Sequence, residues 1–460
     1  MRKKIDLPGV KRVHFIGIGG ISMSGLAETL LHDGYEVSGS DRTASPTTNH
    51  LRDVGISVVI GCSAENITSS MDLVVYTAAI KPENPELTAA KAMGIPLMVR
   101  AELIGAMLQA FEYAVCIAGT HGKTSTTALV TKITQAAGLD PTVNIGGYIG
   151  DKNYFIGNSP YFVLESCEYS NSFHHWHPHI GAILNVDADH MEFFGSMDAI
   201  IETFATFAQN IRPGGVLVIQ EDVPGFDKIT VGLKCEVVTF GESQGATYRL
   251  QNAAKNEIGI LMFDALEGPH FKQQINLPLP GKHNMYNALA AYAVGRELGI
   301  EPQVIARALA DAKGVNRRYQ YKGSYSGATI IDDYAHHPTE IKACLAAARE
   351  AHDGQIICLF QPHTYTRTRD LFEDFAKAFT DADMTIFVPI FAAREPFDPT
   401  ISSAILAEHV AENEPSKVCH NCASLDDAEE LLRGKLEPGD LLITMGAGDV
   451  YLVGEKLLAT

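Results

Sequence analysis

The side chains best able to do chemistry in this sequence lie in a glycine-rich run, GTHGKT, at positions 119–124. An apolar stretch from 114 to 118 precedes the run, and an amphipathic helix pattern begins at Ser125. A strand, a glycine-rich turn and a helix in this order are typical of a phosphate-binding loop, because glycines let backbone N–H groups surround a phosphate at the helix N-terminus. Lys123 can reach the β- and γ-phosphates of a nucleotide, and the Thr124 hydroxyl can bind Mg2+.

The run is shorter than the common form of this motif. Ile117 stands where that form has its first glycine, so a Gly-Lys-Thr in an ordinary strand-to-helix turn is the alternative interpretation. The strand, the loop and the helix are nevertheless in register, which favours nucleotide binding. The motif alone indicates no particular reaction.

A carboxylate and an imidazole follow two other predicted strands. The apolar stretch 161–164 ends on Glu165, and the stretch 180–186 is followed by Asp-Ala-Asp and then His190. The carboxyl ends of parallel strands are where such sheets bind ligands. If both strands flank the phosphate loop, Glu165 and His190 could share a second divalent ion beside the γ-phosphate. The alternative is that both are polar strand ends that face solvent.

Polar residues also cluster in the last third of the chain. Asn284 and Asn287 lie one helical turn apart on one face, so they could contact a base edge or cap their helix. The stretches 334–338 and 361–367 place His, Tyr and Arg side chains after predicted strands. This density suggests a binding surface that faces the central part of the chain.

The elements that position these residues are strand–helix pairs. Near the N-terminus a strand at 13–16, a glycine-rich turn at 17–22 and a helix at 23–33 lead to a second strand that ends at Asp41, which is a Rossmann-like unit. Ser22 replaces the third glycine of the dinucleotide fingerprint. The expectation is a site for a diphosphate-bearing ligand, and the alternative is a structural glycine turn.

The pattern predicts an α/β protein of three domains, which are Rossmann-like, central phosphate-loop ATPase and again Rossmann-like. We place the boundaries at 1–109, 110–315 and 316–460. With 460 residues, 46% of them hydrophobic and 20% charged, the composition is that of an ordinary soluble protein. The net charge of −19 argues against nucleic acid or an anionic membrane as partner. The eight cysteines lack framework spacing, and no targeting segment or apolar span is found, so we expect a cytoplasmic protein.

Eleven motifs in order give a more specific resemblance. They are GIGGISMSGLA, SGSD, TAAIKPENPE, GTHGKTSTT, LESCEYSNSF, NVDADHME, GKHNMYNALAA, RRYQYKG, IDDYAHHPTEIKA, FQPHTYTRTRDL and MGAGDVY. Together they span nearly the whole chain and resemble the Mur ligase family, most closely its branch that adds L-alanine to UDP-N-acetylmuramate. The resemblance implies domains that bind the UDP-substrate, ATP and the incoming amino acid, a monomer or homodimer, and ATP with Mg2+ as cofactors.

The resemblance also implies roles for individual residues. Catalytic roles fall to Lys123, Glu165, His190 and His336, and metal ligation to Thr124, Glu165 and His190. The ATP contacts are Gly119, Thr120, Gly122, Lys123, Thr124, Ser125, Asn284, Asn287, Arg318 and Asp333. The substrate contacts are Gly17, Gly19, Gly20, Ser22, Asp41, Tyr334, His336 and Arg367. Thr364 stands where some members have an arginine, which leaves Arg367 as the expected clamp on the amino-acid carboxylate.

The implied reaction forms an amide through an acyl phosphate, in peptidoglycan precursor synthesis. The substrate carboxylate attacks the γ-phosphate, ADP leaves, and the amine of alanine then displaces phosphate. Positioning and charge neutralisation supply the catalysis. Three alternatives stay open: a ligase that recycles murein tripeptide, a non-catalytic ATP sensor, and an oxidoreductase that uses a nicotinamide cofactor in the first domain.

Overall fold

The computed structural model describes residues 2–77, 79–150, 152–256, 260–268, 271–393 and 395–459. Its strands form three sheets, of five, ten and six strands, that follow one another along the chain. The prediction of three α/β units is confirmed. Ala78, within the motif TAAIKPENPE, lies outside the described residues.

The first unit is an all-parallel sheet between helices. Its strands are β1 (Arg12–Ile16), β2 (Glu36–Asp41), β3 (Ser57–Ile60), β4 (Leu73–Tyr76) and β5 (Leu97–Val99). Its helices are α1 (Ile21–His32), α2 (Pro46–Asp53), α3 (Pro85–Ala92) and α4 (Arg100–Leu108), with a 3₁₀ turn at Ala64–Asn66. The order β3-β2-β1-β4-β5 reverses direction between β1 and β4, which places a ligand crevice at the carboxyl end of β1.

The second unit carries the phosphate loop at the middle of a ten-stranded sheet. Its strands are β6 (Tyr113–Ala118), β7 (Thr142–Ile149), β8 (Lys152–Phe155), β9 (Tyr161–Glu165), β10 (Ile180–Ile183), β11 (Val216–Gln220), β12 (Glu236–Gly241), β13 (Tyr248–Lys255), β14 (Leu261–Glu267) and β15 (Phe271–Leu277). Its helices are α5 (Lys123–Ala136), α6 (Met191–Phe194), α7 (Met197–Gln209), α8 (Phe226–Thr230), α9 (Lys282–Glu297) and α10 (Pro302–Ala310), with a 3₁₀ segment at Tyr169–His175.

Strand β6 lies between β9 and β10 and pairs in parallel with both. Glu165 therefore ends the strand on one side of the phosphate loop, and the Asp-Ala-Asp-His segment follows the strand on the other side, which is the arrangement that the sequence analysis left as a condition. The core of this unit packs apolar faces of α5 and α9, including Ile133, Leu289 and Tyr292, against the sheet.

Three features of the second unit differ from the sequence expectations. Helix α5 begins at Lys123, two residues before the expected Ser125, because Gly122, with its positive φ, is the N-cap residue. Strand β10 stops at Ile183, since Asn185 turns to hydrogen-bond the loop. The pairs β7–β8, β13–β14 and β14–β15 are antiparallel, so the sheet is mixed and not wholly parallel.

The third unit is a six-stranded sheet with helices on both faces. Its strands are β16 (Gln320–Tyr325), β17 (Ala328–Asp333), β18 (Ile356–Phe360), β19 (Met384–Phe387), β20 (Val418–Asn421) and β21 (Leu441–Met445). Its helices are α11 (Pro338–Ala351), α12 (Tyr365–Asp370), α13 (Phe372–Phe375), α14 (Ser403–Asn413), α15 (Leu425–Lys435) and α16 (Tyr451–Leu458). Only the edge strand β16 pairs antiparallel within this sheet as described.

Across the described ranges of the chain, the structure contains no helix that is both long and apolar enough to cross a membrane.

Candidate active site

The phosphate loop connects β6 to α5 and is built around two glycines with positive φ, Gly119 at +141° and Gly122 at +79°. These values lie in the region that glycine adopts without strain. A side chain at Gly122 would also collide with the amide oxygen of Asn287 on α9. The loop is therefore compact because its glycines allow backbone and α9 to approach closely.

The Lys123 ammonium lies folded into the loop. It donates hydrogen bonds to the carbonyl oxygens of Gly119 at 2.5 Å and Thr120 at 2.9 Å, and it forms an ion pair with Glu168 at 3.0 Å. Burial on its own lowers the pKa of Lys123, but the Glu168 carboxylate outweighs burial and raises the pKa above its ordinary value. Lys123 is thus held charged within the loop.

Thr124 and Glu165 form a pair of oxygen donors beside the loop. The Thr124 hydroxyl donates to Glu165 Oε1 at 2.8 Å, and the other carboxylate oxygen accepts the N–H of Gly146 at 2.6 Å. A Cβ on Gly146 would lie 2.8 Å from Glu165 Oε1, so a side chain there would displace the carboxylate. Mg2+ prefers hard oxygen ligands of this kind, and the pair fits a magnesium ion at the phosphates.

His190 lies apart from this pair. It has a left-handed backbone with φ of 55°, its ring packs against Tyr169 with centroids 4.7 Å apart, and its Nδ1 lies 3.4 Å from Glu192. No hydrogen bond or ion pair joins His190 to Glu165 in the described part of the chain. The structure places both residues at the sheet edge that holds the loop, but it does not bring their side chains into contact.

A cavity of about 590 Å³ extends from the loop between the second and third units. The predicted ATP contacts that line it are Gly122, Ser125, Asn284, Asn287, Arg318 and Asp333. The Asn287 amide donates to Asn284 Oδ1 at 3.2 Å, and the Asn284 amide donates to the carbonyl of Pro280, so α9 presents both asparagines from one face. The volume lies within the range of small-molecule sites.

The third unit contributes an acid to this cavity. Asp333, at the end of β17, accepts the N–H groups of Tyr319 and Ala335, each at 2.7 Å. Burial raises the pKa of Asp333 to about 6, although the Arg318 guanidinium opposes the rise. The neighbouring Arg317 points elsewhere, because it pairs with Asp332 at 3.1 Å and donates to the carbonyls of Gly446 and Gly448.

The predicted amino-acid pocket is a row of rings that ends on Arg367. The rings of Tyr334 and His336 lie 5.4 Å apart, and His336 lies 5.6 Å from His363. The Arg367 guanidinium reaches His363 at 3.1 Å and forms an ion pair with Asp189 of the second unit at 3.0 Å. Asp189, the residue before His190, therefore holds Arg367 close to that histidine.

His336 is neutral in this setting. Burial lowers the pKa of His336 to about 3, despite the nearby Glu340 carboxylate. Its Nδ1–H donates to the Tyr334 carbonyl at 2.9 Å, which leaves the lone pair on Nε2. Thr364, with φ of +67°, caps α12 by accepting the N–H of Arg367.

The glycine turn of the first unit is hydrogen-bonded to Asp41, the acid at the end of β2. The Gly19 N–H donates to Asp41 Oδ2 at 2.9 Å, and the N–H groups of Gly17 and Ile18 donate to the carbonyl of Ser40. The Ser22 hydroxyl accepts from Asn144 on β7 at 3.0 Å, which joins this turn to the second unit. The turn and Asp41 thus lie together at the switch point of the first sheet. Gly20 belongs to the same turn and donates its N–H to the Gly17 carbonyl.

An interdomain cluster, which we define as His121, Asp187, His337, Thr339 and Glu340, joins the phosphate loop to the third unit. His121 Nε2 lies 3.0 Å from Asp187, its Nδ1 lies 3.3 Å from Glu340, and the Thr339 hydroxyl donates to Asp187 at 2.8 Å. His121, Asp187 and His337 also offer ligand atoms within 4.8 Å of one another, a donor set that transition metals accept. Each nitrogen of both rings already has a hydrogen-bonding partner.

The charge of His121 gives a prediction for stability against pH. Burial lowers the pKa of His121, but Asp187 and Glu340 together raise it to about 9, above the ordinary 6.5. Because the folded-state pKa is the higher one, this stabilisation is complete below pH 6.5 and is lost as pH rises towards 9. Asp187 is 37% exposed, so screening reduces the contribution to about 2 kcal/mol.

We therefore expect the thermal unfolding midpoint of the wild type to exceed that of His121→Gln at pH 6, and the difference to vanish by pH 9.5. Differential scanning calorimetry of both proteins measures this difference directly, and other titrating groups cancel in the comparison. A difference that stays constant across this range would show that His121 is not charged in the folded protein.

Several residues of the site were absent from the sequence predictions. Glu168, Asp189 and Glu340 hold Lys123, Arg367 and His121 through ion pairs. Glu168 could have been found from its place three residues after Glu165 in the same strand-end segment. Glu340 lies 219 residues from its partner, and no local pattern indicates that contact.

Comparisons with known proteins agree with the three units. Residues 12–112 match the model described as Mur ligase family, catalytic domain, residues 117–295 the Mur ligase middle domain, and residues 317–448 the Mur ligase, glutamate ligase domain. A UDP-N-acetylmuramate–L-alanine ligase from Lachnospira eligens is 44% identical, with 99% of each chain covered.

Two solved structures have the same architecture. The UDP-N-acetylmuramate–alanine ligase of Thermotoga maritima matches with a TM-score of 0.80 at 27% identity, over 97% of this chain and 98% of that one. A murein peptide ligase from Psychrobacter arcticus matches with a TM-score of 0.72 over 98% of each chain, at an identity of 21% that shows the fold alone.

Proposed function

The chain belongs to the Mur ligase family, and from that premise we propose that it joins L-alanine to the carboxylate of UDP-N-acetylmuramate while ATP is converted to ADP and phosphate. The observation that carries this proposal is the likeness over 99% of the chain to a ligase of that specificity. The site agrees, since a phosphate loop, a pair of magnesium-type oxygen donors and a cavity between two units are what phosphoryl transfer requires.

The first step is attack of the UDP-N-acetylmuramate carboxylate on the γ-phosphorus of ATP, which gives an acyl phosphate and releases ADP. Lys123 neutralises charge on the phosphates, and the loop N–H groups orient them. Mg2+, when bound, supplies further neutralisation of the phosphate oxygens. We assign Thr124 and Glu165 as its ligands at the loop and His190, with Glu165, as ligands of a second ion.

The second step is attack of the L-alanine amine on the acyl carbon. The carbon–oxygen bond to phosphate breaks, and one carboxylate oxygen of the substrate leaves with the phosphate. Tyr334 and Arg367 are assigned to the amino acid, and Arg367 as the clamp on its carboxylate. Neutral His336 can orient the amine by accepting a hydrogen bond at Nε2, because its other nitrogen is committed to the Tyr334 carbonyl, and the proton that the amine loses is taken up by the departing phosphate.

We assign Asn284, Asn287, Arg318 and Asp333 to the nucleotide end of the cavity. The glycine turn at 17–22 and Asp41 are assigned to the UDP-substrate, which places its diphosphate at the switch point of the first sheet. The predicted domain boundaries after 109 and 315 stay part of this proposal. So do a cytoplasmic location, which suits eight free cysteines, and a monomeric or homodimeric state.

The test is ADP release with UDP-N-acetylmuramate, ATP and Mg2+ against a panel of L-alanine, glycine and L-serine. We expect ADP release that depends on both the UDP-substrate and an amino acid, with L-alanine giving the highest kcat/KM. Turnover supported only by a preformed alanyl-glutamyl peptide would identify a recycling ligase. ATP binding without turnover on any acceptor would identify a nucleotide sensor.

A further inference from the structure

The imidazole of His121 lies between two carboxylates that belong to different units. Asp187, 3.0 Å from Nε2, follows β10 in the second unit, whereas Glu340, 3.3 Å from Nδ1, lies in the first turn of α11 in the third unit. We propose that His121 is a positioning residue that latches the third unit onto the phosphate loop, so that amino-acid binding depends on the loop. This inference rests on the proposed function for its catalytic consequence and on geometry alone for the latch.

On the loop side of the latch, two hydrogen bonds hold the main chain of His121 to Asn185. The backbone N–H of His121 donates to Asn185 Oδ1 at 2.8 Å, and its carbonyl accepts from the Asn185 amide at 3.0 Å. The main chain of His121 is therefore bonded to the segment that follows β10, while its side chain reaches Glu340 in the third unit. Movement of the third unit is transmitted to the loop two residues before Lys123.

The other side of the latch connects to both proposed substrate regions of the third unit. Glu340 accepts the N–H of His336 at 3.3 Å and lies 3.9 Å from the Arg318 guanidinium, which lines the nucleotide cavity. His336 belongs to the row of rings that leads to Arg367. One carboxylate thus joins the phosphate loop, the nucleotide cavity and the amino-acid pocket.

The latch is electrostatic because the imidazole of His121 lies between the two carboxylates, while Arg318 lies against Glu340 alone. Both ring nitrogens of His121 face carboxylate oxygens, so a neutral side chain would leave Asp187 and Glu340 as neighbouring like charges. Thr339 and His337 add neutral contacts across the same boundary, to Asp187 and to the Ala188 carbonyl. Removing the charge of His121 is therefore expected to open the third unit and leave the loop folded.

The kinetic test compares His121→Gln with the wild type. We expect the Kd of an ATP analogue to rise less than about threefold, since the phosphate loop, Asn284 and Asn287 stay in place and only the contacts of Arg318 and Asp333 are weakened. The KM for L-alanine is expected to rise about tenfold, because a charged hydrogen bond across the boundary is lost. The matched control is His50→Gln, since His50 forms a histidine–carboxylate pair with Glu28 at 3.3 Å within one unit.

A double-mutant cycle with Glu340→Gln separates the latch from a general loss of structure. Each single variant should show the raised KM, and the double variant should be no worse than Glu340→Gln alone, because that substitution already removes the contact with His121. Additive effects, or an ATP-analogue Kd that rises as much as the KM, would overturn the proposal. Saturable Co2+ binding abolished by His121→Gln and by His337→Gln would also overturn it, since the rings would then serve a metal.

Small-angle scattering with the ATP analogue gives a readout that does not need turnover. The wild type should be more compact than His121→Gln and Glu340→Gln, and the His50→Gln protein should match the wild type. If the wild type catalyses no ligation but this difference in size is present, the proposed function fails and the latch stands. If ligation is normal and the sizes are equal, the latch fails alone.

Discussion

Lys123→Ala is expected to lower kcat for ligation about a thousandfold, because the substitution removes the cation that we assign to the transferring phosphoryl group. Lys123 is the cation that the structure holds inside the phosphate loop, through the carbonyls of Gly119 and Thr120 and the Glu168 carboxylate. Steady-state ADP release at saturating substrates measures the effect.

Stability must be measured alongside, because Lys123→Ala leaves the buried Glu168 without its partner. An unpaired buried charge costs about 3 kcal/mol or more, so we expect a lower thermal midpoint that Lys123→Ala/Glu168→Gln restores without restoring activity. Lys228→Ala is the matched control, since Lys228 pairs with Glu202 at the same 3.0 Å on the surface. A kcat for Lys123→Ala within tenfold of the wild type would contradict the role of the loop.

Glu165→Gln is expected to lower kcat about a hundredfold and to raise the Mg2+ concentration required for half-maximal rate. The amide keeps the shape of the side chain but presents one neutral oxygen in place of a carboxylate, and magnesium binds charged oxygen more strongly. The variant can still accept either the Thr124 hydroxyl or the Gly146 N–H, so we expect little loss of stability.

The measurement is a magnesium titration of the ligation rate in both proteins. Thr124→Val should also raise the Mg2+ concentration required for half-maximal rate. The effects of the two substitutions should be less than additive in the double variant, because both groups hold the same ion. Glu350→Gln, on an exposed glutamate that pairs with Lys255 at 3.2 Å, serves as the control. An unchanged magnesium dependence in Glu165→Gln would remove Glu165 from the metal site.

The sequence was sufficient to predict the phosphate loop and the two strands β9 and β10, but not that these strands flank the loop. Glycines, an apolar strand before them and a helix pattern after them are local signals, and the parallel α/β pattern places the polar ends of β9 and β10 at one edge. The antiparallel strands β13, β14 and β15 were not predicted. Their exposed positions carry polar residues such as Gln251, Lys272 and Gln274, which blurs the strand pattern.

The partners of Arg367 and His121 could not be predicted from the sequence, in contrast to Glu168, which lies three residues after Glu165. Lys123 is held by Glu168, Arg367 by Asp189 and His121 by Glu340, and the last two contacts join different units. Such pairs depend on how two sheets dock, which is decided by tertiary packing and leaves no periodic trace in either segment. Roles assigned from the family motifs, such as metal ligation by His190, also could not be derived from the local sequence pattern, because they depend on bound ligands.

The most direct test of the proposed reaction follows an oxygen atom. UDP-N-acetylmuramate labelled with ¹⁸O in its carboxylate is incubated with the enzyme, ATP, Mg2+ and L-alanine, and the product and released phosphate are analysed by mass spectrometry. An acyl-phosphate route predicts the mass of the alanyl amide and one ¹⁸O in each phosphate released. Phosphate without label, or ADP release without an amide product, would contradict it.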